Sequence, residues 1–246
     1  MPEREGLKPL EELLDPDIRN SFFVRTDPET GEVLPRTLGD HYADIERYAL
    51  HEDVPEAIAT QYDVARNLFL FAWFEYRFFN VAEANALVVL ELAMKERLGK
   101  DEIERYIKQR NKEHKAKTGK NGGIRKGMKS LMECCRDHQL VKNEGFTRWQ
   151  QHATMQAYHQ AQYERNLWAI GEMNRTGVTE ITLPDIELRI MPPDPDYDHI
   201  QHLINNVSKF RNIYAHGSTM LHNQVHGTFE MVSEFISQLY GQPTRT

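Results

Sequence analysis

Cysteine is scarce in this chain. There are two in 246 residues, and they are neighbours, Cys134 and Cys135. Adjacent thiols suit neither a disulfide framework nor a zinc knuckle. They are expected as packing residues, in keeping with a reducing, cytoplasmic setting. Long apolar runs are lacking as well. The longest, Leu68 to Phe74, falls far short of the roughly 18 residues a membrane helix needs. The first residues show no basic stretch leading into an apolar one. Neither a membrane partner nor a secretory signal is therefore expected. No Gly-x-Ser-x-Gly element occurs, and Lys120-Asn121-Gly122-Gly123 lacks the Gly-Lys-Ser/Thr ending and preceding strand of a phosphate-binding P-loop. There is no internal repeat and no low-complexity tract. The composition, 40% hydrophobic and 27% charged, is that of a folded globular chain.

The net charge is −7, but it is unevenly spread. From Lys95 to Lys129 there are 13 Lys and Arg against 5 Asp and Glu. Phosphate binding depends on local patches rather than on bulk charge. A solvated helix followed by a lysine-rich loop would carry the same charges without binding anything.

The pattern is mainly helical. Residues 1–60 are acidic, hold six of the eleven prolines and read as an irregular arm. Within it, Asp27-Pro28-Glu29-Thr30-Gly31 is a turn signal between Phe22-Phe23-Val24 and Val33-Leu34, which predicts a small hairpin. A helical domain is expected over 61–246. Val64, Leu68, Phe71, Phe74 and Phe78 predict one buried stripe; Leu87, Leu90, Ala93, Met94 and Leu98 predict a second, stopped by Gly99. A basic, flexible loop at about 112–129 precedes a helix from Met128. A long polar helix spans Trp149 to Met173. The near alternation of Ile181, Leu183, Ile186, Leu188 and Ile190 predicts a β-hairpin insertion at about 175–197. Ile200, Leu203, Ile204, Val207 and Phe210 mark the next helix, and Leu221 to Leu239 the last, from about Ser218. The architecture expected is a helical bundle.

Between those last two helices the chain reads Phe210-Arg211-Asn212-Ile213-Tyr214-Ala215-His216-Gly217. On an unbroken helix Arg211 and His216 would point about 140° apart. They share a site if the helix bends near Gly217 or if they meet across a subunit boundary. A histidine moves protons near neutral pH, and a guanidinium holds phosphate oxygens with a planar set of donors.

Arg-Asn-x-x-x-His followed by Gly at the start of a terminal helix resembles the signature of the HEPN superfamily. The helix Ala84 to Leu98 also looks like an early core helix of those proteins. The resemblance covers about residues 61–98 and 199–240; the arm, the basic loop and the hairpin would be elaborations. It implies an up-and-down helical bundle that pairs into a homodimer, and a metal-independent endoribonuclease of toxin–antitoxin or antiviral defence systems. An antitoxin or defence-system protein is the further partner implied. No cofactor and no metal is expected. Carried over by position, Arg211 and His216 match the two functional residues and Asn212 the polar second position. Some members carry a tyrosine two residues after the histidine as a nucleotidylation target. Here Ser218 stands there, which puts that regulation in doubt.

On this reading His216 acts as general base on the ribose 2′-hydroxyl or as general acid on the 5′-oxygen. Arg211 stabilises the phosphate in the transition state, and Asn212 orients the phosphate or the ring. Glu91, mid-helix among apolar neighbours, is a candidate partner for Arg211 or for Lys95 at i+4. Tyr214 is a candidate base-stacking residue or a core tyrosine. Lys117, Lys120, Arg125, Lys126 and Lys129 are the candidate RNA-backbone contacts. The alternative is a non-catalytic HEPN-like module that binds RNA, nucleotide or a partner protein. Among the eleven histidines, His222 and His226 stand at i, i+4 and His199 and His202 at i, i+3. Asn223 replaces the glutamate of the zinc-protease motif, which argues against that class. His152 and His159 are expected at the surface.

Overall fold

The computed structural model describes residues 6–121, 123–186, 191–215 and 222–241; of Ser208 and residues 210–215 it describes only the backbone. The protein is mainly helical, with one small antiparallel strand pair among the described residues. The elements are β1 (Val24–Thr26), β2 (Val33–Pro35), α1 (Leu38–Glu46), α2 (Glu56–Phe71), α3 (Phe78–Leu98), α4 (Lys100–Thr118), α5 (Met128–Asp137), α6 (Thr147–Thr176), α7 (His199–Ala215) and α8 (His226–Leu239). By contact the chain divides into two compact units, residues 1–141 with 204–246, and residues 142–203. The domain boundary expected at 60/61 therefore lies inside the first unit.

In the first unit, α3 is the shared wall: α2, α4, α5 and α8 all pack against it. It contains neither Gly nor Pro, and it stops at Gly99, whose φ of +76° lets its amide donate to the Lys95 carbonyl at 3.0 Å. Leu87, Leu90, Ala93 and Met94 are buried, as the periodicity requires. On α2 the buried stripe is a different one. Ile58, Tyr62, Ala65 and Phe69 face the core, whereas Val64, Phe71 and Phe78 are 43%, 49% and 36% exposed. Two apolar sets at helical spacing compete on this segment, and periodicity alone does not choose between them. The α8 side chain of Phe229 decides. Its ring lies 5.7 Å from that of Phe69 and 6.0 Å from that of Tyr62, whose hydroxyl donates to the Phe229 carbonyl at 3.2 Å. Truncating a buried Phe of this kind costs about 3–5 kcal/mol.

The arm is irregular in secondary structure but docked. Asp17 N donates to the Trp73 carbonyl at 2.9 Å, Tyr76 N donates to Asp17 Oδ2 at 3.0 Å, and Asn20 Nδ2 donates to the Ala72 and Trp73 carbonyls. Burial pushes the Asp17 carboxyl up. Bonds from the Arg19 side chain and the Tyr76 and Arg19 amides outweigh it and bring the pKa down to about 2. β1 and β2 form the hairpin predicted around Asp27, whose Oδ1 accepts from the amides of Glu29 and Thr30.

The second hairpin, expected at about 175–197, is a correction. α6 runs on through Thr176, and 177–186 and 191–198 hold no strand; 187–190, most of the expected second strand, lie outside the described residues. Leu183, expected in the first strand before the Pro184-Asp185 turn, is exposed and has no apolar face to pack on. The last helix begins at His226 rather than near Ser218.

In the second unit α6 has Ala169 as its one buried residue, the others being exposed or half-buried. His152 is not a plain surface residue: it stacks on Tyr197 at 3.5 Å, while His159 is exposed. Trp149 Nε1 donates to the Tyr197 carbonyl, and the Asn143 side chain accepts from Ile200 N at the start of α7. His199 is 4% exposed against the Phe146 ring, and burial first of all brings its pKa down to about 4.

Candidate nucleic-acid interface and the α7–α8 junction

The basic segment forms the end of α4, a loop and the start of α5. Lys117, Lys120, Arg125, Lys126 and Lys129 are all exposed. Among the described residues none of the five has a carboxylate within ion-pair distance. Three of the nearby acids are engaged elsewhere: Glu102 by Arg105 and His138, Glu104 by Lys100, Glu113 by Arg110.

The loop is tied back to α4 by hydrogen bonds. The Asn111 side chain donates to the Ile124 carbonyl and accepts from Ile124 N, both at 3.0 Å. Gly119 closes α4 in the left-handed conformation at φ +70°, and Gly123, at φ +132°, lies so close to the His114 ring that a Cβ would come within 3.3 Å of it. Ser130 Oγ donates to the Arg125 carbonyl at 2.9 Å. Five cations are thus held without neutralisation on a pre-ordered support, which lowers the ordering cost of binding a polyanion.

Arg211, Asn212 and Tyr214 lie in the last turn of α7, whose final residue is Ala215. Their side chains and the whole of His216 lie outside the described residues. Glu91 makes the local contact considered for it, accepting from Lys95 Nζ at 2.5 Å.

The residues that follow the motif are tied down by carboxylates that sequence reasoning does not single out. His222 Nε2 lies 3.4 Å from Glu83 Oε2 on α3, and Thr228 Oγ1 donates to Glu83 Oε1. His226, the first residue of α8, has Nε2 3.7 Å from Asp44 Oδ2 on α1, and Arg36 donates to the same oxygen. The i, i+4 histidines therefore face two different carboxylates. Among the described residues no group of three or more His, Cys, Asp or Glu side chains is arranged to hold a metal. Glu83 is 5% exposed. The signal for it in the sequence is a carboxylate three, four and seven residues before Ala86, Leu87 and Leu90, all on the buried face.

Beside this network lies a small cleft, open to solvent and walled by Asn20, Phe23, Arg36, His41, Asn223 and His226 among others. His41 is 4% exposed, and its Nε2–H donates to the Phe69 carbonyl at 2.8 Å. Burial holds His41 and His226 below the usual imidazole range. Cys134 and Cys135 are buried, and burial pushes the Cys134 thiol up to about 11, an inert packing residue.

No family model, curated protein or solved structure matches this chain.

Proposed function

We propose that the protein is a HEPN-type ribonuclease that cleaves RNA without a metal ion. The observation that carries this reading is the basic surface of Lys117, Lys120, Arg125, Lys126 and Lys129, exposed and without an ion pair among the described residues, in a chain whose sequence also holds Arg211-Asn212-x-x-x-His216. The surface attracts the phosphodiester backbone. His216 takes the proton of the 2′-hydroxyl, which attacks the adjacent phosphorus. The P–O5′ bond breaks, a proton returns to the leaving 5′-oxygen, and a 2′,3′-cyclic phosphate remains. Arg211 stabilises the charge on the phosphate oxygens, and Asn212 orients the phosphate or the imidazole. A second copy of the chain supplies the complementary acid or base. Contacts from Glu83 and Asp44 to His222 and His226 hold the chain just beyond the motif. The system to which it belongs is a toxin or antiviral defence module of the cytoplasm.

A single-stranded RNA labelled at its 5′ end tests this in EDTA. The expected products end in 2′,3′-cyclic phosphate, DNA of the same sequence stays intact, and His216→Ala abolishes cleavage. Cleavage that survives the substitution, or that needs added divalent metal, overturns the mechanism. The basic surface alone also favours the second reading, a non-catalytic module that binds RNA. Salt-sensitive binding with no cleavage by the wild-type protein selects that reading.

A further inference from the structure

The positive charge does not end where α4 meets the basic loop. Lys108, Lys112 and Lys115 follow one another at steps of four and three residues, so they share one face of the helix. All three are exposed. Ile103 and Tyr106, the buried residues of α4, lie on the opposite face.

Three other cations of this helix are neutralised where they stand. Lys100 is paired with Glu104, Arg105 with Glu102 and Arg110 with Glu113. Lys108, Lys112 and Lys115 have no carboxylate within ion-pair distance among the described residues. Two ordinary uses of a helical lysine do not account for the row. A glutamate four residues before a lysine supports a helix, but Glu104, which stands there for Lys108, pairs with Lys100 instead. The helix dipole favours cations within the last turn only. That turn includes Lys115 but neither Lys108 nor Lys112. Like charges at these spacings destabilise the helix that carries them, and a bound polyanion relieves the repulsion.

The row leads into the basic surface. From Lys108 to Lys117 the helix advances about 14 Å, the length of about four nucleotides stacked at 3.4 Å per phosphate of one strand. Residues 108–129 contain no Phe, Tyr or Trp on which a base could stack. Contacts to phosphates alone carry no sequence information.

We propose that the outward row of Lys108, Lys112 and Lys115 on α4 is a second phosphate-binding stretch that lengthens the RNA site. The protein then takes long single-stranded RNA of any sequence in preference to short oligonucleotides. The proposal rests on the RNA-binding reading of the basic loop and adds to it the path of the strand and a length threshold.

Fluorescence anisotropy with end-labelled RNAs of about 5 and about 15 nucleotides tests this in EDTA. The full chain carries His216→Ala so that the probes stay intact. The longer RNA is expected to bind at least tenfold more tightly than the shorter one, and two long RNAs of unrelated sequence to bind within about threefold of each other. Replacing Lys108, Lys112 and Lys115 together by Gln should weaken the long RNA at least tenfold and the short one less than threefold. Its slope of log K against log salt should become shallower by about 2. Circular dichroism should show the same helix content, since Gln and Lys form helix about equally well. Long RNA bound with unchanged affinity and slope by the triple variant overturns the proposal and leaves the loop reading standing. So does an equal loss for both lengths, or a tenfold preference between sequences. If the protein with its row intact binds neither RNA at low salt, both readings fall.

Discussion

The side-chain amide of Asn111 is bonded twice to the backbone of one residue, Ile124, thirteen positions further on. This clamp turns the glycine-rich segment after α4 back onto the helix. It converts a run of lysines that sequence describes as flexible into a surface with a defined shape.

Asn111→Ala leaves both backbone groups of Ile124 without their partner, a local loss of about 1–3 kcal/mol. Trypsin cleavage at Lys120, Arg125 and Lys126 is expected to accelerate at least severalfold, with little change in the global melting temperature. RNA affinity should fall with no change in charge. Equal trypsin rates would show that the clamp does not order the loop.

Replacing Lys120, Arg125, Lys126 and Lys129 together by Gln removes four cations and no packing, since all four are exposed. If each contacts one phosphate of a single strand, the slope of log K against log salt becomes shallower by about 3. Titrations at three salt concentrations measure it. An unchanged slope places the RNA elsewhere on the protein.

Glu83 accepts from Thr228 and faces His222 from a position that is 5% exposed. Glu83→Ala leaves those groups without a carboxylate and is expected to cost about 1–3 kcal/mol. For a chain of this size that lowers Tm by several degrees. Because this carboxylate holds the chain just after His216, RNA cleavage should fall further than stability explains at a temperature where the variant is fully folded. Cleavage and calorimetry on the same preparation separate the two effects.

His199 has a folded pKa of about 4, below the ordinary value of 6.5, because the folded chain buries its neutral form. The unfolded chain takes up the proton first as pH falls. The stability is therefore fully present above pH 6.5 and is lost as pH drops through 4, by an amount on the order of 3 kcal/mol. Melts between pH 7 and 4 should show this decline, and His199→Phe should flatten it. An NMR titration of the His199 ring with a midpoint near 6.5 would contradict the assignment.

Much of the fold is legible in the chain. The core faces of α3 and α8 are legible from Leu87, Leu90, Ala93 and Met94, and from Phe229, Val232, Phe235 and Ile236, which recur at helical spacing and are all buried. The turn at Asp27 is equally local, since its side chain bonds amides two and three residues away. The segment 175–197 misleads because alternation by itself does not provide a partner strand.

The candidate site divides the same way. Arg211, Asn212 and His216 stand out as a linear motif, and the basic run from Lys95 to Lys129 as a composition, because both are properties of neighbouring residues. Chain order alone determined the helical class, the early hairpin and where the charge is concentrated. Tertiary structure alone decided which of two stripes on α2 is buried, that Asn111 orders the basic loop, and that Glu83 and Asp44 receive His222 and His226. Each of these joins residues 13 to 182 positions apart, and such contacts depend on which helix faces pack together rather than on what any one segment prefers by itself.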